Sequence, residues 1–305
     1  MNPLKTALLE FLEPQRLLEG EPMGEHTSFR VGGPAEFCFF PCTGEEIARG
    51  LAAAAAANAP CLVMGNGSNL IVRDGGLRGL VMILGEPFSG IQVSGEEIVC
   101  QAGARLSRLA GTALEHSLTG LEFASGIPGT VGGGVAMNAG AYGSQLSDVL
   151  TEAQVLRDGR VETWRREEMD MGYRTSRPLR ENCVVLSARF RLQKGDPSAI
   201  SQTMRDLNAR RREKQPLNFP SAGSTFKRPE GYFAGALIEG AGLKGLSVGG
   251  AQVSPKHAGF IVNTGSATAG DILELIAQVQ RAVLKKDGIL LETEVRIVGE
   301  ELRPE

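Results

Sequence analysis

Apolar positions recur along this chain with two spacings, and the spacing predicts the element. From Gly270 to Lys286, Ile272, Leu273, Ile276, Val279 and Val283 gather on one side of a 3.6-residue repeat, which predicts a helix with one apolar face. Thr43 to Asn58 predicts another: Thr43 and Glu46 have capping-box spacing, and the alanine run Ala52 to Ala57 favours helix and close packing. Shorter apolar runs at 37–40, 61–64, 79–84, 98–102, 153–156 and 183–192 are bounded by Gly, Asp and Ser, and predict strands. Ser198 to Lys214 reads as a helix with a basic end (Arg205, Arg210, Arg211, Arg212, Lys214), most of it a solvated face. Pro216 and Pro220 follow, so a boundary is expected at 210–220. Period-two alternation puts Glu292, Glu294 and Arg296 on one face of a final strand over 289–298, with a largely apolar face opposite.

Composition narrows the class. With 305 residues and 42% hydrophobic content the chain can bury a large core, in two or three domains. A net charge of −3 gives no general attraction to nucleic acid or anionic lipid. Glu10 and Glu13 interrupt any signal-peptide core, so a cytoplasmic location is expected. The stretch 123–147 carries no charge, but Pro128, Asn138, Gln145 and its many glycines make it a poor membrane helix. Cys38, Cys42, Cys61, Cys100 and Cys183 form no C-x-x-C pair, and His26, His116 and His257 are isolated, so neither a disulfide frame nor a metal site is expected. Cys38, Cys61 and Cys100 lie in or beside strand-like runs, as small buried hydrophobes would.

Two glycine-rich segments carry the strongest chemical signal. Leu121 to Gly143 (LEFASGIPGTVGGGVAMNAGAYG) holds seven glycines and one charge, Glu122, while Gly65-Asn66-Gly67-Ser68-Asn69 follows an apolar run as a loop leaving a strand would. Glycine is costly to order, so such loops usually need positive φ or let another molecule lie against their N–H groups. Successive amides in tight turns suit a phosphate or diphosphate, and a nucleotide-type cofactor is the leading expectation. No GxGxxG follows a strand, no Walker A string occurs, and Ser221 to Phe226 does not match GxSxG, which disfavours Rossmann, P-loop and hydrolase readings. Gly172 to Arg177 is a polar, aromatic and cationic cluster with equal claims to be loop or site.

Six ordered motifs then coincide. His26 to Ala35 (HTSFRVGGPA), GNGSN at 65–69, SGIPGTVGG at 125–133 with NAGAYG at 138–143, Tyr173 to Ser176, Ser221 to Lys227, and Leu291 to Arg296 resemble, in order and spacing, the UDP-N-acetylenolpyruvoylglucosamine reductase family of flavoenzymes. The resemblance covers about residues 20–300 and, for want of a long insertion, points to the shorter second type. It implies an α+β fold: an FAD-binding scaffold of the PCMH type with two subdomains (1–72 and 73–209), and a C-terminal α+β substrate-binding domain (210–288), with 289–305 returning to the first subdomain. It also implies noncovalent FAD, NADPH as reductant and an enolpyruvyl-UDP-sugar substrate, with no nucleic-acid partner, no membrane insertion and no required oligomer.

Residue by residue, Ser224 occupies the position of the proton donor, with Arg174 to stabilise developing negative charge and Glu294 to hydrogen-bond the carboxyl or enolate oxygen. FAD contacts fall to Arg30, Gly65, Asn66, Gly67, Ser68, Asn69, Ser125, Gly126, Gly129, Thr130, Gly133, Asn138, Gly140 and Ala141. Lys214, Tyr232 and Arg296 fall on the substrate side, which turns part of the basic helix end from solvent toward a ligand. Arg228 stands where the family commonly has Asn after the Phe-Lys pair. A flavin-dependent sugar oxidase or dehydrogenase, and a flavin-binding electron-transfer subunit, are the alternatives that one scaffold can host.

Overall fold

The computed structural model describes residues 2–302. The chain forms two compact units that are not sequential: one comprises 1–18, 38–66 and 79–211, the other 19–37, 67–78 and 212–305.

In the first unit, α1 (Pro3–Leu8) starts at Asn2, whose side chain accepts the Leu4 N–H at 2.9 Å. Helix α2 (Gly44–Ala56) starts at Thr43, whose hydroxyl accepts the Glu46 N–H at 3.1 Å. The other half of the expected capping box is absent. The Glu46 carboxylate instead receives the Arg16 guanidinium at 2.6 and 2.8 Å, as a forked charge-assisted pair, and the Cys42 N–H at 2.7 Å, one residue before the cap. Its hydrogen bond to Arg16 holds that carboxyl below the usual range. The alanine face of α2 is half buried, with Ile47, Gly50, Ala53 and Ala54 inside.

The five strand runs expected between 61 and 192 are all present, as Cys61–Met64, Leu77–Ile83, Glu97–Gln101, Leu150–Arg157 and Val184–Arg191. Cys61–Met64 pairs in parallel with the Leu80–Ile83 segment. The last three join Ile91–Ser94 and Arg160–Arg165 in an antiparallel sheet ordered 160–165, 150–157, 184–191, 97–101, 91–94. Its apolar face, including Ile98, Val155, Trp164 and Phe190, packs with α3 (Leu106–Glu115) and α4 (Val131–Ala136) into one core. Burial pushes the thiols of Cys61 and Cys100 up to about 12, which leaves both inert near neutrality.

The uncharged stretch 123–147 breaks into short pieces, of which α4 is the longest helix, and no helix among the described residues is long and apolar enough to cross a membrane. A short α5 (Arg177–Arg180) precedes α6 (Pro197–Lys214). Arg205, Arg210, Arg212 and Lys214 are exposed as expected, but Arg211 is the exception: burial lowers its pKa from the ordinary arginine value.

The second unit is built on α7 (Ala234–Gly240), α8 (Ala269–Asp287) and an antiparallel sheet of Ser247–Val248, Ala251–Val253 and Ile261–Asn263. Ile272, Ile276, Val279 and Val283 of α8 form the expected apolar face and are buried, whereas Leu273 is only partly so. Thr268 and Asp271 close a complete capping box at its start. The terminal strand is shorter than expected. Only Arg296–Val298 is regular, pairing in parallel with Leu70–Val72, and Ile297 is exposed rather than facing an apolar interior. Residues 289–295 instead follow an irregular path that buries Leu291 and Val295. The expected 289–305 segment extends beyond the described residues at 303–305.

Candidate active site

In the first unit Gly65 and Asn66, which open the first glycine loop, lie against the second glycine-rich segment. Gly65 leaves the strand Cys61–Met64, and a methyl group added to it would come within 2.1 Å of the Thr130 hydroxyl. Asn66 donates its side-chain amide to the Pro128 carbonyl at 2.9 Å. Thr130, the N-cap residue of α4, is buried and makes no side-chain cap, while the two amides that open the helix are held internally, Val131 N–H by Ala104 O and Gly132 N–H by Ala102 O, both at 2.8 Å. The next residue differs: Gly133 is exposed, with only Thr130 Oγ1, at 3.6 Å, near its missing Cβ. Among the described residues neither the Asn66 nor the Gly133 amide donates to a protein acceptor. Main-chain donors with open space and no charged side chain on Gly129 to Gly134 are the chemistry that a diphosphate requires.

Other expected cofactor residues hold the loop rather than offer their side chains. Asn138 is buried; its amide donates to Gln145 Oε1 at 3.0 Å and to Gly172 O at 3.1 Å, and its carbonyl oxygen accepts Ser147 N–H at 3.1 Å. Ser125 donates to Glu122 O at 2.8 Å and accepts from Asn208 at 3.1 Å. Gly126 packs beneath Asn208 and Arg211, where a methyl would meet Asn208 Oδ1 at 2.4 Å. Asn208 and Arg211 were missed by sequence reasoning, because a polar residue in a basic helix carries no signal of burial.

The cluster Gly172 to Arg177 resolves into a tight turn. Gly172 N–H bonds Thr175 O at 3.0 Å, Thr175 N–H bonds back at 3.4 Å, and Arg174 at the corner has φ 55°. A non-glycine residue in this region is uncommon and strained, which is frequent at sites where the side chain must point one way. Arg174 donates to Gly140 O at 3.4 Å, so the structure brings it to Gly140 and Ala141.

The second unit gathers a different set. Thr225 is wholly buried: its N–H donates to Gly259 O at 2.9 Å, its hydroxyl accepts Ile261 N–H at 3.1 Å, and its carbonyl accepts Glu294 N–H at 2.8 Å. Lys227 N–H bonds Glu292 O at 2.8 Å, so 225–227 and 292–294 run as a short antiparallel ladder. Ser224 is exposed at its end, and Glu294 is half-buried. Asn69 joins them by donating to Glu294 O at 3.1 Å and accepting Arg296 N–H at 3.0 Å through its own carbonyl. Gly67 has φ 56°, and a methyl there would meet His26 O at 2.2 Å; Ser68 follows between Gly67 and Asn69. Arg30 is exposed at φ 57°. Lys214 and Tyr232 are exposed and stand outside this hydrogen-bonded set. Arg228 lies 3.9 Å over the Phe233 ring and donates to Tyr232 O at 3.3 Å, a role that an asparagine could not fill.

Known proteins give this geometry a context. An FAD binding domain model matches residues 35–164, and the UDP-N-acetylenolpyruvoylglucosamine reductase, C-terminal domain model matches 215–298. The chain is 49% identical over 305 residues to a UDP-N-acetylenolpyruvoylglucosamine reductase from Clostridium botulinum strain Hall, with 99% of both chains covered. It is 52% identical over 287 residues to one from Pediococcus pentosaceus, covering 94% of this chain and 95% of that one. The crystal structure of the reductase from Thermus caldophilus superposes with a TM-score of 0.79 at 36% identity, over 92% of this chain and 97% of that one. At 15% identity and a TM-score of 0.50, the glucose dehydrogenase Phl p 4.0202 shares only the fold, over 64% of this chain. Both units, the glycine loops and the serine loop fall within these full-length matches, and the chain belongs to the UDP-N-acetylenolpyruvoylglucosamine reductase family.

Proposed function

We propose that this protein is an FAD-dependent, NADPH-consuming oxidoreductase that reduces the enolpyruvyl group of UDP-N-acetylglucosamine enolpyruvate to the lactyl ether of UDP-N-acetylmuramate, a step of peptidoglycan precursor synthesis. The observation that carries this reading is the ladder between 225–227 and 292–294, which holds an exposed hydroxyl, Ser224, beside the carboxylate residue Glu294. When bound, FAD supplies the hydride for C3 of the enolpyruvyl group and takes its own from NADPH. Ser224 delivers the proton to C2, which a hydroxyl can do because the carbanion-like acceptor is far more basic than the alkoxide left behind. Arg174 stabilises the charge that grows toward the substrate carboxylate, through a forked guanidinium contact. Glu294 hydrogen-bonds the carboxyl or enolate oxygen.

The free amides of Asn66 and Gly133 support an FAD diphosphate held by 65–69 and 125–133, with Arg30 and the segment 138–141 completing the cofactor side. Lys214, Tyr232 and Arg296 serve the UDP-sugar. In this reading 1–72 and 73–209 are the FAD-binding subdomains, 210–288 binds substrate, and 289–305 returns to the first subdomain. The partner is a small molecule. A cytoplasmic location, no nucleic-acid partner and no required oligomer belong to the same reading, and the net charge of −3 supports the second of these.

The test is an anaerobic one. The yellow holoenzyme should bleach on mixing with NADPH and regain its colour only when the enolpyruvyl-UDP-sugar is added. Failure of that substrate to restore the colour would contradict the reading, and bleaching by a sugar rather than by NADPH, with recovery in air, would favour a sugar oxidase instead.

A further inference from the structure

The segment that grips Thr225 is itself organised by an imidazole. Ser254 Oγ accepts the N–H groups of Lys256 and His257 at 3.2 and 3.3 Å, and Ser254 N–H donates to Phe260 O at 2.9 Å, closing a turn. Inside it, Gly259 N–H donates to His257 Nδ1 at 3.1 Å, and Phe260 N–H donates to His257 O at 3.0 Å. The ring meets Phe260 edge-on at 5.0 Å and lies against two glycines, since a methyl on Gly259 or on Gly235 of α7 would come 3.1 or 3.4 Å from its Cε1. The same Gly259 turns its carbonyl to Thr225 N–H, the amide of the peptide that joins Ser224 to Thr225.

We propose that His257 is a positioning residue for proton delivery: as a neutral ring accepting the Gly259 N–H through Nδ1, it sets the main chain that holds the Ser224–Thr225 peptide, and protonation of that nitrogen releases it. The proposal rests on the reading of Ser224 as proton donor. Because Nδ1 accepts, the proton of the neutral ring resides on Nε2. Burial holds His257 below its ordinary 6.5, and the Lys244 ammonium acts in the same direction, while its own main chain and Glu239 of α7 oppose them. Glu239 and Lys244 pair with each other at 2.6 Å, and Lys256 is the charged residue of the turn itself. The sign follows: with the folded value lowered, the neutral arrangement is fully held above 6.5 and is lost as pH falls below it.

The experiment follows reoxidation of NADPH-reduced holoenzyme by the enolpyruvyl-UDP-sugar in single turnover across pH, separately from the bleaching step. His257→Phe fills the space without an acceptor and should slow reoxidation at neutral pH about 3- to 10-fold, the scale of one lost hydrogen bond, with bleaching unchanged. His257→Asn can accept the amide two residues on and does not titrate, so it should stay within about 3-fold of wild type and lose the fall in rate below 6.5. Wild-type kinetics in His257→Phe, or an undiminished acid limb in His257→Asn, would overturn the proposal. Ser224→Ala is the separating arm. If it is slow while His257→Phe is unaffected, the positioning role alone fails; if it reoxidises at the wild-type rate, the underlying assignment of Ser224 fails.

Discussion

The glycine loops around Gly65 and Thr130 and the serine loop around Ser224 are held by different balances of contact. Gly65 is locked by close fit against Thr130, and the loops around it are tied by the side chains of Asn66, Asn138 and Ser125. Around Ser224 the ties are chiefly main-chain bonds, Thr225 N–H to Gly259, Thr225 O to Glu294 N–H, and Lys227 N–H to Glu292, with the Thr225 hydroxyl and the Asn69 amide adding two side-chain ties. The difference follows from which atoms must stay free. A loop that offers amides to an anion cannot use those amides to hold itself, so it depends on shape and on side chains. A loop that offers a hydroxyl can commit its whole backbone to the scaffold.

The largest effect that would break this contrast is expected at Gly65. Gly65→Ala drives a methyl into Thr130 and should cost about 1–3 kcal/mol, the usual range for overpacking, together with loss of FAD from the purified protein. Denaturant midpoints and the flavin-to-protein absorbance ratio measure both, and an unchanged, fully yellow variant would show that fit does not hold the loop. Gly133→Ala should behave in the opposite way. Its Cβ position is open and helical, so the substitution should stabilise the chain by about 0.5–1 kcal/mol while weakening FAD binding. Unaltered FAD affinity in that variant would remove Gly133 from the cofactor cradle.

Much of this was legible in the sequence, and what was not has a common cause. Short apolar runs between turn residues located the strands, and the 3.6-residue repeat located α8, because burial of a run or of one face is a local property. The Thr43 cap was legible for the same reason, but Glu46's real partner, Arg16, lies thirty positions earlier in the chain. The glycine loops announced themselves, yet the reason for Gly65 is Thr130, and only three-dimensional contact separates a glycine crowded by protein from an open one such as Gly133. The last strand was overestimated because alternation at 291–298 looked regular, whereas the backbone of 292–294 is bound to 225–227 in an isolated ladder and only 296–298 joins a regular strand pair. Arg174, Ser224 and Glu294 could be named through motif resemblance, but no local pattern foretold the φ of 55° at Arg174 or the Thr225 clamp.

The most direct test of proton delivery by Ser224 is stopped-flow single turnover of Ser224→Ala. After anaerobic reduction by NADPH at the wild-type rate, its reoxidation by the enolpyruvyl-UDP-sugar should be slower by about 10²-fold or more, the scale of lost acid catalysis. Reoxidation as fast as in the unaltered protein would contradict the account.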